Sequence, residues 1–279
     1  MDIQTALATA ITKLSTTSDS PQADAHTLLA FCLNKPRSYL LTWPEKALSS
    51  EQNDQFSSCI KRRQQGEPIA YLIGRKEFWS MTLYVSPATL IPRPETELLV
   101  ELALQQLSTN QESTILDLGT GSGAIALAVA KERPRCHVCA IDSSEDALAI
   151  AKKNQQQLEI KNIDFLTSHW FNNIEQQLFD VIVANPPYVA PNDPHLKQGD
   201  LRFEPQQALS TNNNGLADLL HIAEHARSYL KPNGWLMMEH GYDQKNALIE
   251  KLSELGYQNI QSYNDYNQQP RVICGQHLG

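Results

Sequence analysis

No apolar run in the sequence approaches the roughly 18 consecutive residues that a membrane-spanning helix needs, which argues against a helical membrane protein. The chain starts Met1-Asp2 without a basic stretch leading into an apolar one, so no secretory leader is expected and the protein reads as cytoplasmic. Cysteine is sparse and scattered, at 32, 59, 136, 139 and 274. Cys136 and Cys139 have C-x-x-C spacing but fall on a predicted strand, where side chains three apart face opposite ways. A shared metal or an easy disulfide is therefore not expected, and the thiols read as reduced and structural. Positive charge is also short, with 23 Lys and Arg against 31 Asp and Glu and a net charge of −8. Residues 1–75 hold eight basic and seven acidic side chains, leaving −9 on the remainder. A surface that grips a nucleic-acid duplex carries the opposite sign. Lys61-Arg62-Arg63 is the tight basic cluster and reads as a solvated helix end that favours the helix dipole.

What is present is a chain of 279 residues, 41% of them hydrophobic, enough to bury the core of a full α/β domain and a smaller companion. The most informative segment is Asn185-Pro186-Pro187-Tyr188. It follows Phe179-Asp180-Val181-Ile182-Val183-Ala184, an apolar run that reads as a buried strand. Two prolines cannot continue a ladder, so the chain turns out of the sheet at the carboxyl end of the strand, where α/β sheets bind ligands. Asn185 brings an acceptor oxygen, Pro186 a carbonyl with no N–H of its own, and Tyr188 a flat face. The set fits a planar NH2 group held for attack. The plainer alternative is a proline-rich exit turn with a capping Asn.

A second segment bears on that choice. Ser113 to Leu118 reads as a strand containing Asp117, followed by Gly119-Thr120-Gly121-Ser122-Gly123-Ala124 and an apolar helical run from Ile125 to Ala130. Strand, glycine loop and helix together make a nucleotide-binding context. Glycines let backbone approach a ligand, and the helix N-terminus offers free N–H groups. Asp142 ends the next strand and suits ribose hydroxyls. NAD and S-adenosylmethionine share that ribose. Asp117 separates them, because a carboxylate before the loop suits a cationic amino group and repels a pyrophosphate.

DLGTGSG at 117–123, the acid at 142 and NPPY at 185–188 resemble class I S-adenosylmethionine-dependent methyltransferases acting on planar nitrogens. Leu90 to Glu97 (LIPRPETE), Arg202-Phe203-Glu204-Pro205 with Ala208-Leu209, and Met238-Glu239-His240-Gly241 are similar to one branch, the bacterial peptide chain release factor N5-glutamine methyltransferases. The resemblance runs over nearly the whole length. It implies S-adenosylmethionine held by Asp117, Gly119, Thr120, Gly121, Ser122, Gly123, Asp142, Trp170 and Asn185. It implies a glutamine held by Asn185, Pro186, Pro187, Tyr188 and Arg93, with Asn185, Pro186 and Tyr188 carrying the chemistry. The implied substrate is the Gly-Gly-Gln loop of class I peptide chain release factors. Independently of the resemblance, no DNA, membrane or metal is expected as a partner, and the protein is expected to be a monomer. One departure stands out: His169 occupies the place before Trp170 where the family usually has an acid.

The expected fold is α/β, a Rossmann-like class I methyltransferase with a mostly parallel seven-stranded sheet, a small N-terminal helical bundle and a β-hairpin linker. The expected organisation is a helical substrate-docking domain at 1–75, a hairpin and linker at 76–93, and the methyltransferase domain at 94–279. Ile3, Leu7, Ala10, Ile11 and Leu14 recur at helix spacing, a second helix follows Pro21, and a third spans about 50–65. Glu77 to Val85 has strand character and is expected to pair with Ile69 to Ile73. Strands are expected at 113–118, 136–141, 161–165, 179–184, 234–239, 257–263 and 270–275, with helices at 95–107, 123–132, 144–157, 215–230 and 243–255. The family resemblance adds an antiparallel last strand inserted next to the sheet edge. The long Pro-containing stretch 189–214 shows no clear element and reads as a wall or lid of the site. His221-Ile222-Ala223-Glu224-His225 matches an inverted zinc-protease signature, but no third ligand accompanies it. Three other functions stay open from the residues themselves: an adenine-N6 nucleic-acid methyltransferase, an NAD-dependent oxidoreductase and a non-catalytic cofactor-binding module.

Overall fold

The computed structural model describes residues 1–175 and 177–279. The chain folds as two compact units, one of Met1–Arg75 with Gln198–Phe203 and one of Lys76–Lys197 with Glu204–Gly279.

The first unit is helical: α1 Ile3–Leu14, α2 Pro21–Leu33, α3 Arg37–Thr42, α4 Ser50–Gln64 and α5 Ile69–Ile73. Its amphipathic stripes meet in one core built on Ile3, Leu14, Leu28, Leu29, Phe56 and Ile60. Local chemistry sets the helix starts. Asp2 accepts from the Thr5 N–H at 2.7 Å, Pro21 opens α2, and Ser49 and Gln52 form a reciprocal capping box. Caps of this kind contribute about 1 kcal/mol each. Arg63 is not a solvated helix end: its side chain is 13% exposed and bonds Asp24 at 2.7 Å and Asp200 at 3.0 Å. Arg202 also reaches the Gln65 carbonyl at 2.7 Å, so the piece 198–203 is held to the end of α4 at two points, Arg63 and Gln65.

In the second unit, β1 (Arg75–Phe78, beginning one residue earlier) and β2 (Met81–Tyr84) form a two-stranded hairpin. Its two-residue turn places Trp79 and Ser80 at φ 49° and 53°, the left-handed pair that matches strand twist. The sequence pattern pairs this hairpin with Ile69 to Ile73. That segment is instead the helix α5, opened by Pro68 and closed by Gly74 at φ 68°, whose N–H bonds the Ala70 carbonyl. Bulky apolar residues that read as strand are overridden there by burial of Ala70, Tyr71 and Leu72 on a helical turn.

After a 3-10 turn at Pro94–Thr96 come α6 Glu97–Gln106, β3 Thr114–Leu118, α7 Ala124–Glu132, β4 His137–Asp142, α8 Glu145–Gln157, β5 Ile163–Thr167 and β6 Phe179–Ala184. Then follow the short turn α9 Asn212–Gly215, α10 Ala217–Ala226, β7 Leu230–Glu239, α11 Lys245–Glu254, β8 Gln258–Asn264 and β9 Pro270–His277. The sheet order is β5-β4-β3-β6-β7-β9-β8. The strands through β7 are parallel, while β9 runs antiparallel between β7 and β8, the insertion that the family resemblance implies. Alternate residues feed two cores. Ile115, Val181 and Val183 face one, and Leu116, Leu118, Ile182 and Ala184 face the other. Such predominantly apolar strands, their only charges Asp117 in β3 and Asp180 in β6, are what a sheet covered on both faces demands. The stretch 189–214, which shows no pattern in the sequence, contains 3-10 turns at Pro194–Lys197, Gly199–Phe203 and Gln206–Ala208.

Candidate active site

Strand order reverses between β3 and β6, and such a switch point opens a crevice at the carboxyl ends of the strands. The register fixes what stands there. Leu118 pairs with Ile141 on one side and Ala184 on the other, and Ala184 pairs with Met238. The next residues therefore form one row across four parallel strands: Asp142, Gly119, Asn185 and Glu239. A cavity of about 360 Å³ opens above the row. Its wall includes Arg93, Thr96, Gly119, Thr120, Gly121, Ser122, Asp142, His169, Trp170, Asn185, Pro187 and Asp218. Among the residues expected from the sequence, Pro186, Tyr188, Asp117 and Gly123 are not part of that wall.

Gly121 has φ 56°, and a Cβ built on it meets nothing within 4 Å, so the backbone lies open to the cavity. Its N–H donates to Asp142 Oδ2 at 2.9 Å, while Asp142 Oδ1 accepts from the Ser144 N–H at 2.9 Å. Burial pushes the Asp142 carboxyl above its ordinary value, and these backbone N–H groups pull it back.

Asp117 lies beneath the loop with no exposed surface. Oδ2 accepts from the Thr120 hydroxyl at 2.6 Å and the Ala126 N–H at 3.2 Å. Oδ1 is buried without a hydrogen-bond partner among the described residues. Burial pushes the carboxyl up to about 7, against those two hydrogen bonds and with a further push from Asp142. A buried acceptor left unpaired costs about 1–3 kcal/mol, so this oxygen is either a reservoir of strain or a place for a cation.

Trp170 sits in the left-handed region at φ 47°, uncommon for a large side chain. Its carbonyl accepts from the Ser168 hydroxyl at 2.8 Å and its indole N–H donates to Asp218 at 3.1 Å. The surroundings thus over-determine a strained backbone, a pattern concentrated at ligand clamps. His169 is exposed, with its ring 5.8 Å from that of Trp170.

The Asn185 amide donates through Nδ2 to the Thr96 hydroxyl at 3.2 Å. Thr96 donates to Glu239 Oε2 at 2.7 Å, and the Tyr188 hydroxyl donates to Glu239 Oε1 at 3.1 Å. Burial first, and the Glu239 charge next, push the Tyr188 phenol above its ordinary value, so it stays a donor. Gln244 holds the backbone of Tyr188, donating to its carbonyl at 2.9 Å. Arg93 is paired with Glu204, a wholly buried side chain that also accepts from the Ile91 N–H at 3.0 Å. His221 and His225 lie on one helix face with ring centroids 4.1 Å apart and planes tilted by 32°, and no metal-holding group of three or more His, Cys, Asp or Glu is found among the described residues.

A model of a methyltransferase domain matches residues 109–277, and one of the PrmC N-terminal domain matches residues 5–74. The release factor glutamine methyltransferase of Aliivibrio fischeri is 54% identical over 260 residues, which is 93% of this chain and 91% of that one. Its counterpart from Shewanella oneidensis is 50% identical over 277 residues, 99% of this chain and 96% of that one. The chain belongs to the release factor glutamine methyltransferase family. A methyltransferase of Pyrococcus furiosus shares the fold at a TM-score of 0.55 and 18% identity, covering 79% of this chain and 98% of that one.

Within this member of the family, several site residues lie outside what local sequence reasoning assigns. Thr96, Glu204 and Glu239 fall in segments that the family resemblance marks, yet they take on roles only through partners 51 to 143 residues away. Asp218 and Asn154 carry no motif. Asn154 is fully buried, and its amide bonds both backbone groups of Tyr84 and, at 2.9 Å, the Ser122 carbonyl, tying the hairpin to the glycine loop. Its position on the apolar stripe of α8, in helical phase with Ala147 and Ala151, is the one signal that points to it.

Proposed function

We propose that the protein transfers a methyl group from S-adenosylmethionine to the side-chain amide nitrogen of a glutamine in the Gly-Gly-Gln loop of class I peptide chain release factors. The observation that carries this reading is the placement of Asn185. Its Nδ2 is spent on Thr96, while Oδ1 has no hydrogen-bond partner among the described residues, on a cavity wall shared with Gly121 and Asp142. An acceptor displayed in that way suits an N–H donor such as a primary amide.

The residues fit the methyl donor. Open backbone at Gly121 admits a close ligand, Asp142 keeps lone pairs for ribose hydroxyls, and Trp170 offers an indole edge or face held by Asp218. The unpaired Oδ1 of Asp117 answers a cationic amino group. S-adenosylmethionine bound there supplies an electrophilic methyl carried on a sulfonium.

What the protein adds is position. An amide nitrogen is a poor nucleophile because its lone pair is delocalised into the carbonyl. Asn185 Oδ1 and the Pro186 carbonyl accept its two N–H groups, fixing the nitrogen and raising its electron density, and one of these protons leaves to solvent once the nitrogen carries the methyl group. Tyr188 lays its ring against the amide plane, and Pro187 and Arg93 border the entry. Orientation of this kind supplies several kcal/mol, up to about 7–11 in the best cases. The helical unit at 1–75 is assigned to docking the protein substrate, so that contacts far from the amide pay for its alignment.

Incubating the protein with methyl-labelled S-adenosylmethionine and either purified release factor or DNA tests the reading. Label on the glutamine of the Gly-Gly-Gln loop is expected. Label on adenine, or none on the release factor, overturns it.

A further inference from the structure

We propose that Thr96 and Glu239 are positioning residues that fix which way round the Asn185 amide points, and thereby make it an acceptor toward the substrate. The inference rests on the amide methylation proposed above and adds to it the device that sets the polarity of the site.

An Asn side chain is nearly symmetric in shape, and rotation by half a turn exchanges its oxygen for its NH2. Inverted, Asn185 would present two donors to a substrate amide that is itself a donor. Shape alone therefore does not select the useful orientation, and hydrogen bonding must. Glu239 ends β7 directly beside Asn185 and is 1% exposed. As a carboxylate it can only accept, and both oxygens are engaged, Oε2 at 2.7 Å from Thr96 and Oε1 at 3.1 Å from Tyr188. Thr96 owns one hydroxyl proton and directs it to Glu239. Its oxygen then has only lone pairs for Asn185, 3.2 Å away. Nδ2 must face Thr96, and Oδ1 must face the other way. The same carboxylate holds the Tyr188 hydroxyl, so one buried charge orients both the acceptor and the aromatic ring. Burial raises the affinity of Glu239 for a proton, while the Thr96 hydroxyl, the charge of Arg271 and the Tyr188 hydroxyl restrain that rise. Thr96, Asn185, Tyr188 and Glu239 belong to segments that the sequence marks separately, at 90–97, 185–188 and 238–241.

Two substitutions break the chain at different links. Thr96→Val keeps the shape and removes the hydroxyl. Glu239→Gln keeps the shape and puts an NH2 among the acceptors, which lets the Thr96 proton turn toward Asn185. Each is expected to lower kcat on intact release factor about 10- to 100-fold. KM for the release factor and affinity for S-adenosylhomocysteine by calorimetry are expected to stay within about threefold, since neither variant removes a binding contact. Thr96→Ser, which returns the hydroxyl, is expected to restore most of the lost turnover. A second readout needs no turnover. In the wild-type protein the Asn185 side-chain NH2 resonances are expected to exchange with solvent at least tenfold more slowly than those of an exposed Asn, and in Thr96→Val that protection is lost. Wild-type kcat in Thr96→Val overturns the proposal, as does a loss that Thr96→Ser fails to restore. If Thr96→Val does not fold, unprotected Asn185 protons in the wild type overturn it alone. Failure of the methylation reading looks different: the wild-type protein then labels no glutamine, whatever the amide protons do.

Discussion

The buried carboxylate of Asp117 makes a prediction that can be worked to a number. Its carboxyl is held up at about 7, far from the ordinary 3.8, because burial outweighs the hydrogen bonds from Thr120 and Ala126. If the cationic amino group of S-adenosylmethionine is drawn to the unpaired Oδ1, it binds the ionised form. At pH 6 a group titrating near 7 is about 90% protonated, so binding must expel about 0.9 of a proton; at pH 8 the figure is about 0.1. The same linkage weakens binding about tenfold, or about 1.4 kcal/mol, on going from pH 8 to pH 6. Calorimetry at pH 6 in two buffers of different ionisation enthalpy reads the proton directly. Asp117→Asn is expected to abolish the release and flatten the pH dependence. A carboxyl whose folded value is raised stabilises the fold fully below its unfolded value of 3.8, and that contribution is lost as pH rises through about 7. The gap of about three units sets a ceiling near 4 kcal/mol. The melting temperature of the ligand-free protein should therefore fall between pH 5 and pH 8, and fall less in Asp117→Asn. Zero proton release at pH 6 in the wild type refutes the reasoning, because it means the ammonium never senses this carboxylate.

Replacing Asn185 with Ala removes an acceptor needed most as the nitrogen develops charge, and steady-state assays should show turnover reduced about 10²–10³-fold with cofactor affinity little changed. Asp142→Ala should weaken S-adenosylmethionine by about 1.5–3 kcal/mol in calorimetry without any protein substrate present, the usual worth of charged hydrogen bonds. Gly215→Ala should cost about 2–4 kcal/mol of stability in denaturant melts, with turnover falling more than cofactor binding. Gly215 has φ 83°, and a Cβ there would lie 2.1 Å from the Tyr188 carbonyl oxygen, so the residue after the two prolines must move.

The parts of the fold legible in the sequence are those governed by local rules. The strand Phe179–Ala184 has the bounds that its apolar run suggests, because a strand covered on both faces is mostly apolar, and its one charge, Asp180, is paired with Lys231 at 2.7 Å. The helices after Pro21 and Ser49 start where caps and proline dictate. Ile69 to Ile73 misleads because its side chains suit a strand, and its helix is imposed by burial that no local pattern reveals. Arg63 misleads in the same way. A basic helix end normally faces water, but Asp24 and Asp200 approach it from 39 and 137 residues away. Within the site, the glycine loop, Asp142 and Asn185 are visible as residues that terminate strands. Their orienting partners are not, since Thr96 and Glu239 are 143 residues apart and either one alone reads as an ordinary polar residue.

That division between displayed residues and orienting residues follows from the geometry of a parallel sheet. The last paired residues of β4, β3, β6 and β7 lie side by side, so whatever follows them is brought into one row without any sequence signal linking the strands. Three positions of the row, at Asp142, Gly119 and Asn185, border the cavity, and the fourth, Glu239, is buried beside it. Their order therefore depends on register. The ladder between β6 and β7 contains an irregularity, in which Phe179 pairs with Leu230 but Val181 pairs with Trp235. The extra residues of β7 are absorbed there, with Asn233 at φ 68°, before regular pairing carries Met238 to Ala184. A slip of one residue would reverse every side chain of β7, sending Met238 to the face of Met237 and turning Glu239 away from Thr96. The irregularity near 231–234 thus reaches the chemistry from the far end of the strand: it sets the count that brings a buried carboxylate, rather than a methionine, beside the amide of Asn185.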